Sequence, residues 1–403
     1  MRTLPKRANS HGARNLPLDG VRATAAVLIV VHHVAYAAGT TMNETYGRFT
    51  GRMDVGVPIF FVLSGYLLAR PFIRGILTGT QLPSASDFLW KRFIRIFPAY
   101  WLALIIMLVI GAVAVRGPSG FFFSFFLLHV YHPDRAISGI TQSWSLATEI
   151  SFYLFMPVYA AVMRRASRHR TVNQRALVLL ASLVCLYLFS VVFRIVVHLL
   201  NPPFENVTPY WLPSLIDIFV LGIALAVLRE WSHFNHDIRS LCHTLSAHPL
   251  LLLLFALFTF WWVSTQFGLA VGLETSTFER ETIRQGLYGL IGLFCVAPFA
   301  LTERRSRTSA VVGWRPLAWL GVISYGIYLW HQLFISGNFA EQRMPYEIFD
   351  GGMADRLLIT ISLTVAIAAV SYYLFESPLL RTFTTPFFKD ALSRKDAGST
   401  PHP

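Results

Sequence analysis

The chain has 403 residues, of which 54% are hydrophobic and only 14% charged. Because soluble domains usually carry about a quarter charged residues, this composition excludes an ordinary soluble protein and indicates a surface that mostly faces lipid. The formal net charge of +13 would suit a nucleic-acid binder. The basic residues gather in short loops between apolar runs, however, so membrane topology explains them better and no nucleic-acid partner is expected.

About ten runs are long and apolar enough to be transmembrane helices, which need about 20 residues to cross a hydrocarbon core of about 30 Å. We therefore predict an all-α, polytopic helical membrane protein whose main partner is the lipid bilayer. The predicted spans are 21–39, 55–73, 96–115, 144–163, 176–200, 212–229, 249–267, 285–301, 317–336 and 354–375. One further run, near 121–130, is too short to cross, and we predict a re-entrant or interfacial segment there.

Basic residues predict the orientation, since Lys and Arg are enriched in cytoplasmic loops. The N-terminus and the loops around 70–95 and 164–175 are basic, which requires that the segment near 121–130 does not cross. Both termini are then cytoplasmic, and the protein is a multi-pass protein of the plasma membrane, the inner membrane of a bacterium. Residues 1–16 and 384–403 are predicted to be polar cytoplasmic tails, the second disordered, around a transmembrane domain at 17–383.

Ionisable side chains inside predicted spans are costly in lipid, so each one is a functional candidate. Arg22 and His33 are 11 residues apart on the first span, close to three helical turns. They therefore share one face, separated by about 16 Å along the axis. His32 points almost a quarter-turn away, and we interpret it as a packing residue or a residue at the lipid edge.

Other polar residues fall near the predicted outer ends of later spans. Ser145 and Glu149 lie one turn apart on one face of their span. A helix N-terminus alone could explain a carboxylate there, but Glu149 is followed by apolar residues. We therefore predict a common outer layer that contains His33, Glu149, Arg194, Asp217 and His331. The candidate substrate-binding residues are Trp144, Ser145, Arg194, Asp217, Tyr328 and His331.

Arg92 and Arg95 form a different group, at the cytoplasmic end of their span. They are three residues apart on one helix face, and Arg22 lies on the same side of the membrane. Ordinary flanking by basic residues could account for them. Because the arginine fork suits phosphate oxygens, we also expect the three arginines to form an anion site at the cytoplasmic mouth.

Four stretches resemble the motifs of the acyltransferase-3 family, in the family's order from about residue 16 to 383. Each apolar stretch alone is weak evidence for the resemblance, but four of them in the family's order are specific evidence. They are Leu18-Asp19-Gly20-Val21-Arg22 with His32-His33 and the run 56–66, the arginine motif 91–100, Ser143-Trp144-Ser145-Leu146 with Glu149 and Tyr153, and the run 324–331 that ends at His331.

The resemblance implies an integral membrane enzyme that moves an acyl group, usually acetyl, from cytoplasmic acyl-CoA to a hydroxyl of a sugar or other acceptor. The family's essential histidine falls on His33, its arginine pair on Arg92 and Arg95, and its acidic member on Glu149. Pro58 stands where many members have an acidic residue. The chain length predicts the stand-alone form, without the extracytoplasmic esterase-like domain of some members.

We therefore expect an O-acyltransferase that acts on an extracytoplasmic glycan or glycolipid in the cell envelope. His33 would be the general base, or the carrier in an acyl-histidine relay, and Glu149 would orient its imidazole. The three arginines, Arg22, Arg92 and Arg95, would hold the phosphates of acyl-CoA. No metal is expected, because the three cysteines form no motif. Two alternatives stay open: acylation of a secreted small-molecule glycoside, and a proton-coupled transporter.

Overall fold

The structure, a computed structural model, describes residues 15–43, 45–270, 276–301, 306–335 and 352–384. These residues form helices and no strand, which confirms the predicted all-α fold. The predicted tails lie almost entirely outside them. The helices are α1 (Leu16–Ala37), α2 (Gly47–Thr50), α3 (Gly56–Thr78), α4 (Ala85–Val109), α5 (Gly117–Phe125), α6 (Trp144–Ala166), α7 (Val172–Leu200), α8 (Leu212–Trp231), α9 (His236–Ala247), α10 (Pro249–Thr265), α11 (Phe278–Ala300), α12 (Arg307–Val312), α13 (Arg315–Val322), α14 (Ser324–Trp330), α15 (Met353–Ser371) and α16 (Ser377–Thr384).

Each of the ten predicted spans is occupied by helix. Eight helices within the described ranges are long and apolar enough to cross a membrane, and α9 with α10, which meet at 69°, would make a ninth. The predicted span 317–336 differs, because α13 ends before Ile323, α14 begins after it, and a 3-10 turn follows at His331–Phe334. The break lies between two glycines, Gly321 and Gly326, that pack tightly against neighbouring helices.

The segment near 121–130 does not cross, as predicted. Its helix α5 has nine residues, which span about 14 Å, less than half of a hydrocarbon core. Several of its aromatic side chains are exposed, and Phe122 keeps 51% of its surface. A short helix with exposed aromatic side chains is typical of an interfacial segment.

Helix α3 lies in the centre of the bundle, against α1, α6, α8 and α11. Its closest neighbour is α8, because Gly65 and Gly222 face each other there. A Cβ at Gly65 would collide with the carbonyl oxygen of Phe219, and one at Gly222 with that of Val62. Small residues that let two backbones approach are the usual packing device of helices in lipid, where the hydrophobic effect does not drive association.

Helix α1 packs against α3, α13, α14 and α15. A Cβ at Gly321 of α13 would collide with the carbonyl oxygen of Asp19, so glycine at that position allows the two helices to touch. Asn15 begins α1, where its Oδ1 accepts a hydrogen bond from the backbone N–H of Leu18 at 3.3 Å. The resulting 22-residue helix carries Arg22 near one end and His33 near the other.

Basic side chains near the helix ends also have structural partners. Arg175 donates to the carbonyl oxygens of Ile76 and Leu77, at 3.1 and 3.2 Å, at the C-terminal end of α3. A cation there compensates the unsatisfied carbonyls of the last turn. Arg70, which belongs to the basic loops that predicted the orientation, forms an ion pair of 2.6 Å with Glu230.

Candidate active site

His33 lines a large cavity at one end of α1. Its volume of about 800 Å³ lies within the range of roughly 300–1,000 Å³ that is usual for ligand sites. We call it the histidine cavity. Its walls come from α1, from the segment between α4 and α6, and from the residues that follow α14. The lining residues are His32, His33, Tyr36, Ala37, Ala114, Arg116, Gly120, Asp134, Arg135, Ile137, Ser138, Thr141, Gln332 and Ile335.

His33 is paired with His331, from the other end of the sequence. Nδ1 of His33 lies 3.1 Å from Nε2 of His331 and 3.0 Å from the carbonyl oxygen of Ile29. Nδ1 of His331 lies 3.1 Å from the carbonyl oxygen of Ile327. Since a carbonyl only accepts, both Nδ1 atoms carry the proton, and His331 Nε2 accepts from His33.

This tautomer leaves the second ring nitrogen of His33, Nε2, with a lone pair. Within the described part of the chain, Nε2 has no hydrogen-bond partner, and the half-buried ring lines the cavity. His331 has no exposed surface. The arrangement is therefore that of an oriented base whose free nitrogen is available to a group in the histidine cavity.

His32 is also part of this cavity. Its ring meets that of His33 at 5.1 Å in a T-shaped contact, and its Nδ1 lies 3.1 Å from the carbonyl oxygen of Thr50. From the sequence alone it could not be distinguished from a packing histidine. Its contact with Thr50 ties the end of α1 to the last residue of α2.

A second cavity, which we call the arginine pocket, lies about three turns along α1 from His33. It is smaller, about 100 Å³, and contains all three arginines of the predicted anion site. Its lining residues come from α1, α3, α4, α6 and α14, and they are Arg22, Val57, Phe60, Phe61, Ser64, Leu67, Leu68, Arg92, Arg95, Ile96, Ser145, Leu146, Glu149, Tyr153, Ser324, Tyr325 and Tyr328.

Glu149 lines the arginine pocket and not the histidine cavity. Its Oε1 accepts a hydrogen bond of 2.5 Å from Ser64 Oγ, and it also interacts with the hydroxyl of Tyr153. The sequence suggested that it orients His33, on the assumption that α6 starts at the membrane face. Gln142 and Ser143, just before α6, are buried, so the helix begins inside the bundle and Glu149 lies deeper.

Two carboxylates, those of Asp19 and Glu149, lie closer to the arginines than the sequence predicted. Asp19 forms an ion pair of 3.3 Å with Arg22, and Glu149 interacts electrostatically with Arg22 and Arg92. Arg92 still has a buried Nε without a hydrogen-bond partner among the described residues. An arginine with an unused donor inside a cavity is suited to an anionic ligand.

Glu376, which sequence reasoning missed, interacts electrostatically with Arg95. It ends a π-helical turn, Tyr372–Glu376, that links α15 to α16, and it is 9% exposed. π-helical turns often mark functional sites. The signal in the sequence was a carboxylate that directly follows the apolar run of the last predicted span.

Tyr328 lies between the two cavities. Its hydroxyl donates to the carbonyl oxygen of Gln142 at 2.5 Å and lies 2.6 Å from Ser145 Oγ. Its ring lines the arginine pocket, and the ring of His331, one turn later, is 6.1 Å away from it, centre to centre. Tyr328, Ser145 and His331, predicted to bind substrate, therefore lie in the wall between the pocket and His33.

The remaining predicted substrate residues lie elsewhere. Trp144 lines neither cavity and packs against Phe61 and Tyr210, with ring centres 6.4 and 5.2 Å apart. Arg194 and Asp217 form a buried ion pair of 2.8 Å between α7 and α8. Gln285 of α11 donates to both carboxylate oxygens, at 2.8 and 2.9 Å, so this group ties three helices together.

No cluster of three or more His, Cys, Asp or Glu residues within the described ranges could hold a metal ion. The residues that line the two cavities offer an oriented imidazole, hydroxyl and carboxylate groups, and arginines.

The model of the acyltransferase-3 family, described as an acyltransferase domain, matches residues 15–376. The match includes both cavities, from Asn15 at the start of α1 to Glu376. The chain belongs to the acyltransferase-3 family. This membership confirms the predicted family and the predicted class of enzyme, an acyltransferase. With the eight spans, it also confirms the predicted multi-pass location in the plasma membrane.

Curated relatives match the chain over nearly all of its length. YrhL of Bacillus subtilis (strain 168) is 26% identical over 381 residues, which cover 90% of this chain and 54% of YrhL. The peptidoglycan O-acetyltransferase OatA of Listeria monocytogenes serovar 1/2a is 24% identical, and the match covers 95% of this chain and 59% of that protein. The O-acetyltransferase OatA of Staphylococcus aureus (strain NCTC 8325) is 24% identical, and the match covers 92% of this chain and 58% of that protein. The chain thus spans little more than half the length of these relatives. No solved structure matches it significantly.

Proposed function

We propose that the protein moves an acetyl group from cytoplasmic acetyl-CoA to a hydroxyl of a cell-wall glycan on the other side of the membrane. The names of the relatives support the acyl group and the type of acceptor, because all three contain O-acetyltransferase and two of them, YrhL and the OatA of Listeria monocytogenes, also contain peptidoglycan. The observation that carries the proposal is that α1 contributes to two separate cavities: Arg22 lines the arginine pocket, and the oriented His33 lines the histidine cavity.

In this proposal the arginine pocket receives the donor. Arg22, Arg92 and Arg95 would bind phosphate oxygens of CoA, since the guanidinium fork suits them. The positive-inside rule favours a cytoplasmic location for this end of α1, where acyl-CoA is available. The pocket is smaller than a usual ligand site of at least about 300 Å³, so donor binding must widen it.

His33 acts on the acceptor hydroxyl. As the hydroxyl oxygen attacks the thioester carbonyl carbon, its proton passes to Nε2 of His33, and the Nδ1–H bonds to Ile29 and His331 stabilise the imidazolium. The carbon–sulfur bond then breaks, the ester forms, and the CoA thiolate takes the proton from His33. Positioned general-base catalysis of this kind contributes about 10²–10⁴-fold to a rate.

The wall between the two cavities favours the relay form of this chemistry. Nε2 of His33 itself attacks the thioester carbonyl, CoA leaves as a thiolate, and the acyl group is held on the imidazole. Acylation makes the Nδ1 proton more acidic, and His331 Nε2, 3.1 Å away, can accept it. The acceptor hydroxyl then attacks the acyl carbon within the histidine cavity, the carbon–nitrogen bond breaks, and the imidazole takes its Nδ1 proton back from His331. The proton of the acceptor hydroxyl is released to water and balances the proton that the CoA thiolate takes up.

The test is the transfer of label from radiolabelled acetyl-CoA to a soluble peptidoglycan fragment by the purified full chain. His33→Ala is expected to lower transfer by at least about 100-fold while leaving the binding of CoA unchanged. The matched control is His236→Ala, whose side chain is 90% exposed at the start of α9. Retained transfer in His33→Ala, or no label in any glycan with the unaltered chain, would contradict the proposal.

A further inference from the structure

The histidine cavity has a charged wall opposite α1. Arg116, Asp134 and Arg135 come from the segment that joins α4 to α6. A glycan needs hydrogen-bonding groups for its hydroxyls, and Ser138, Thr141 and Gln332 supply those. The guanidinium of Arg135 can also donate to a hydroxyl, but its charge contributes most toward an anionic group of the acceptor.

Arg135 is held in a fixed position. Its guanidinium lies over the ring of Phe123, 5.2 Å from the ring centre, and its Nη2 donates to Ser119 Oγ at 3.0 Å. A guanidinium fixed at two points loses little further freedom when it binds a ligand, and this lowers the entropic cost of binding.

The other terminal nitrogen of this guanidinium, Nη1, is buried and has no hydrogen-bond partner in the described part of the chain. No described carboxylate forms an ion pair with Arg135, although Asp134 is its neighbour in sequence. A buried donor that carries charge and stays unpaired is costly, so such a group calls for a ligand.

We infer that the histidine cavity binds an acidic acceptor, and that Arg135 recognises a carboxylate of the glycan while His33 acts on a nearby hydroxyl. The inference rests on the proposed function and adds the chemical class of its acceptor. A monoanion suits this wall better than a dianion, because Asp134 would repel the second charge of a phosphate monoester. Arg135 thus determines specificity and takes no part in the proton transfer.

The experiment uses the full chain with labelled acetyl-CoA and three soluble acceptors. The first is the disaccharide of N-acetylglucosamine and N-acetylmuramic acid with a free lactyl carboxylate. The second is the same disaccharide with that carboxylate converted to a methylamide, and the third carries a phosphate monoester instead. We expect kcat/KM for the acid to exceed that for the amide by about tenfold or more, with the phosphate between them.

Arg135→Gln should bring the ratio of acid to amide close to one, and an unchanged melting temperature in detergent shows that the variant is folded. Arg135→Lys should restore part of the preference. The control is Arg48→Gln, an exposed arginine at the same end of the bundle that does not line the cavity, and it should keep the full ratio.

Equal rates with acid and amide in the unaltered chain, or an unchanged ratio in Arg135→Gln, would overturn the inference and leave the proposed transferase activity standing. A preference for the phosphate over the acid would overturn the choice of a carboxylate. The absence of transfer to all three acceptors would overturn the proposed function and the inference together.

Discussion

Replacement of His331 by phenylalanine tests how His33 is oriented. The variant His331→Phe keeps a ring of similar size in a site with no exposed surface, but it removes the acceptor 3.1 Å from His33 Nδ1. The carbonyl oxygen of Ile29, at 3.0 Å, still accepts from Nδ1. The change therefore removes one of two hydrogen bonds and leaves the tautomer favoured.

The size of the effect follows from the energy of one hydrogen bond. A neutral hydrogen bond contributes about 0.5–1.5 kcal/mol, and about 1.4 kcal/mol corresponds to a tenfold change in rate. We therefore expect His331→Phe to lower kcat about 2- to 12-fold, with KM for acetyl-CoA unchanged. His331→Gln, whose amide oxygen can accept from Nδ1, should recover part of the loss.

The assay is steady-state transfer from labelled acetyl-CoA, normalised to folded protein, because the variant also loses the bond from His331 to Ile327. A loss as large as that of His33→Ala would mean that His331 is essential to the chemistry, as the proton acceptor of the relay form, and does more than position His33. An unchanged kcat would mean that the contact between the two rings does not act in catalysis. Either result would refute the positioning role.

Three further variants test the arginine pocket and the packing. Arg92→Ala should raise KM for acetyl-CoA about 10- to 100-fold, since it removes a charge-assisted bond. Asp217→Leu should lower the free energy of unfolding by about 3–5 kcal/mol, because it leaves Arg194 as a buried, unpaired charge. Gly222→Ala should lower it by about 1–3 kcal/mol, because its Cβ collides with the carbonyl oxygen of Val62.

Each variant has a matched comparison. Lys91→Ala removes an exposed charge that does not line the pocket and should leave KM unchanged; equal effects of the two variants would exclude a specific donor site. Adding Arg194→Met to Asp217→Leu should restore part of the thermal stability in detergent. Gly286→Ala, where the nearest atom is the Tyr187 hydroxyl at 3.5 Å, should be mild; equal stability of both glycine variants would contradict the close approach of α3 and α8.

Much of the fold could be predicted from hydropathy, because a spanning helix needs a continuous apolar run. The ten runs, the short α5 and the helix face shared by Arg22 and His33 are all local properties of the sequence. The break at Ile323 was not predicted, since it depends on glycines that pack against other helices. The π-helical turn that ends at Glu376 was not predicted either, because hydropathy does not distinguish it from ordinary α-helix.

The site was harder to predict than the fold, because its contacts join distant parts of the chain. His33 and His331 are 298 residues apart, and nothing local indicates that their rings meet. Glu149 was grouped with His33 because it lies near the predicted outer end of its span, whereas its side chain lines the arginine pocket. The arginine pocket was the easier part, since Arg92 and Arg95 are neighbours on one helix.

The central claim is that the acyl group enters at the arginine pocket on one side of the membrane and leaves from the histidine cavity on the other. Sealed, inside-out membrane vesicles that contain the full chain test it directly, with labelled acetyl-CoA outside and a soluble peptidoglycan fragment trapped inside. We expect label on the trapped fragment, and none with His33→Ala. Transfer only when donor and acceptor share one side would contradict the account.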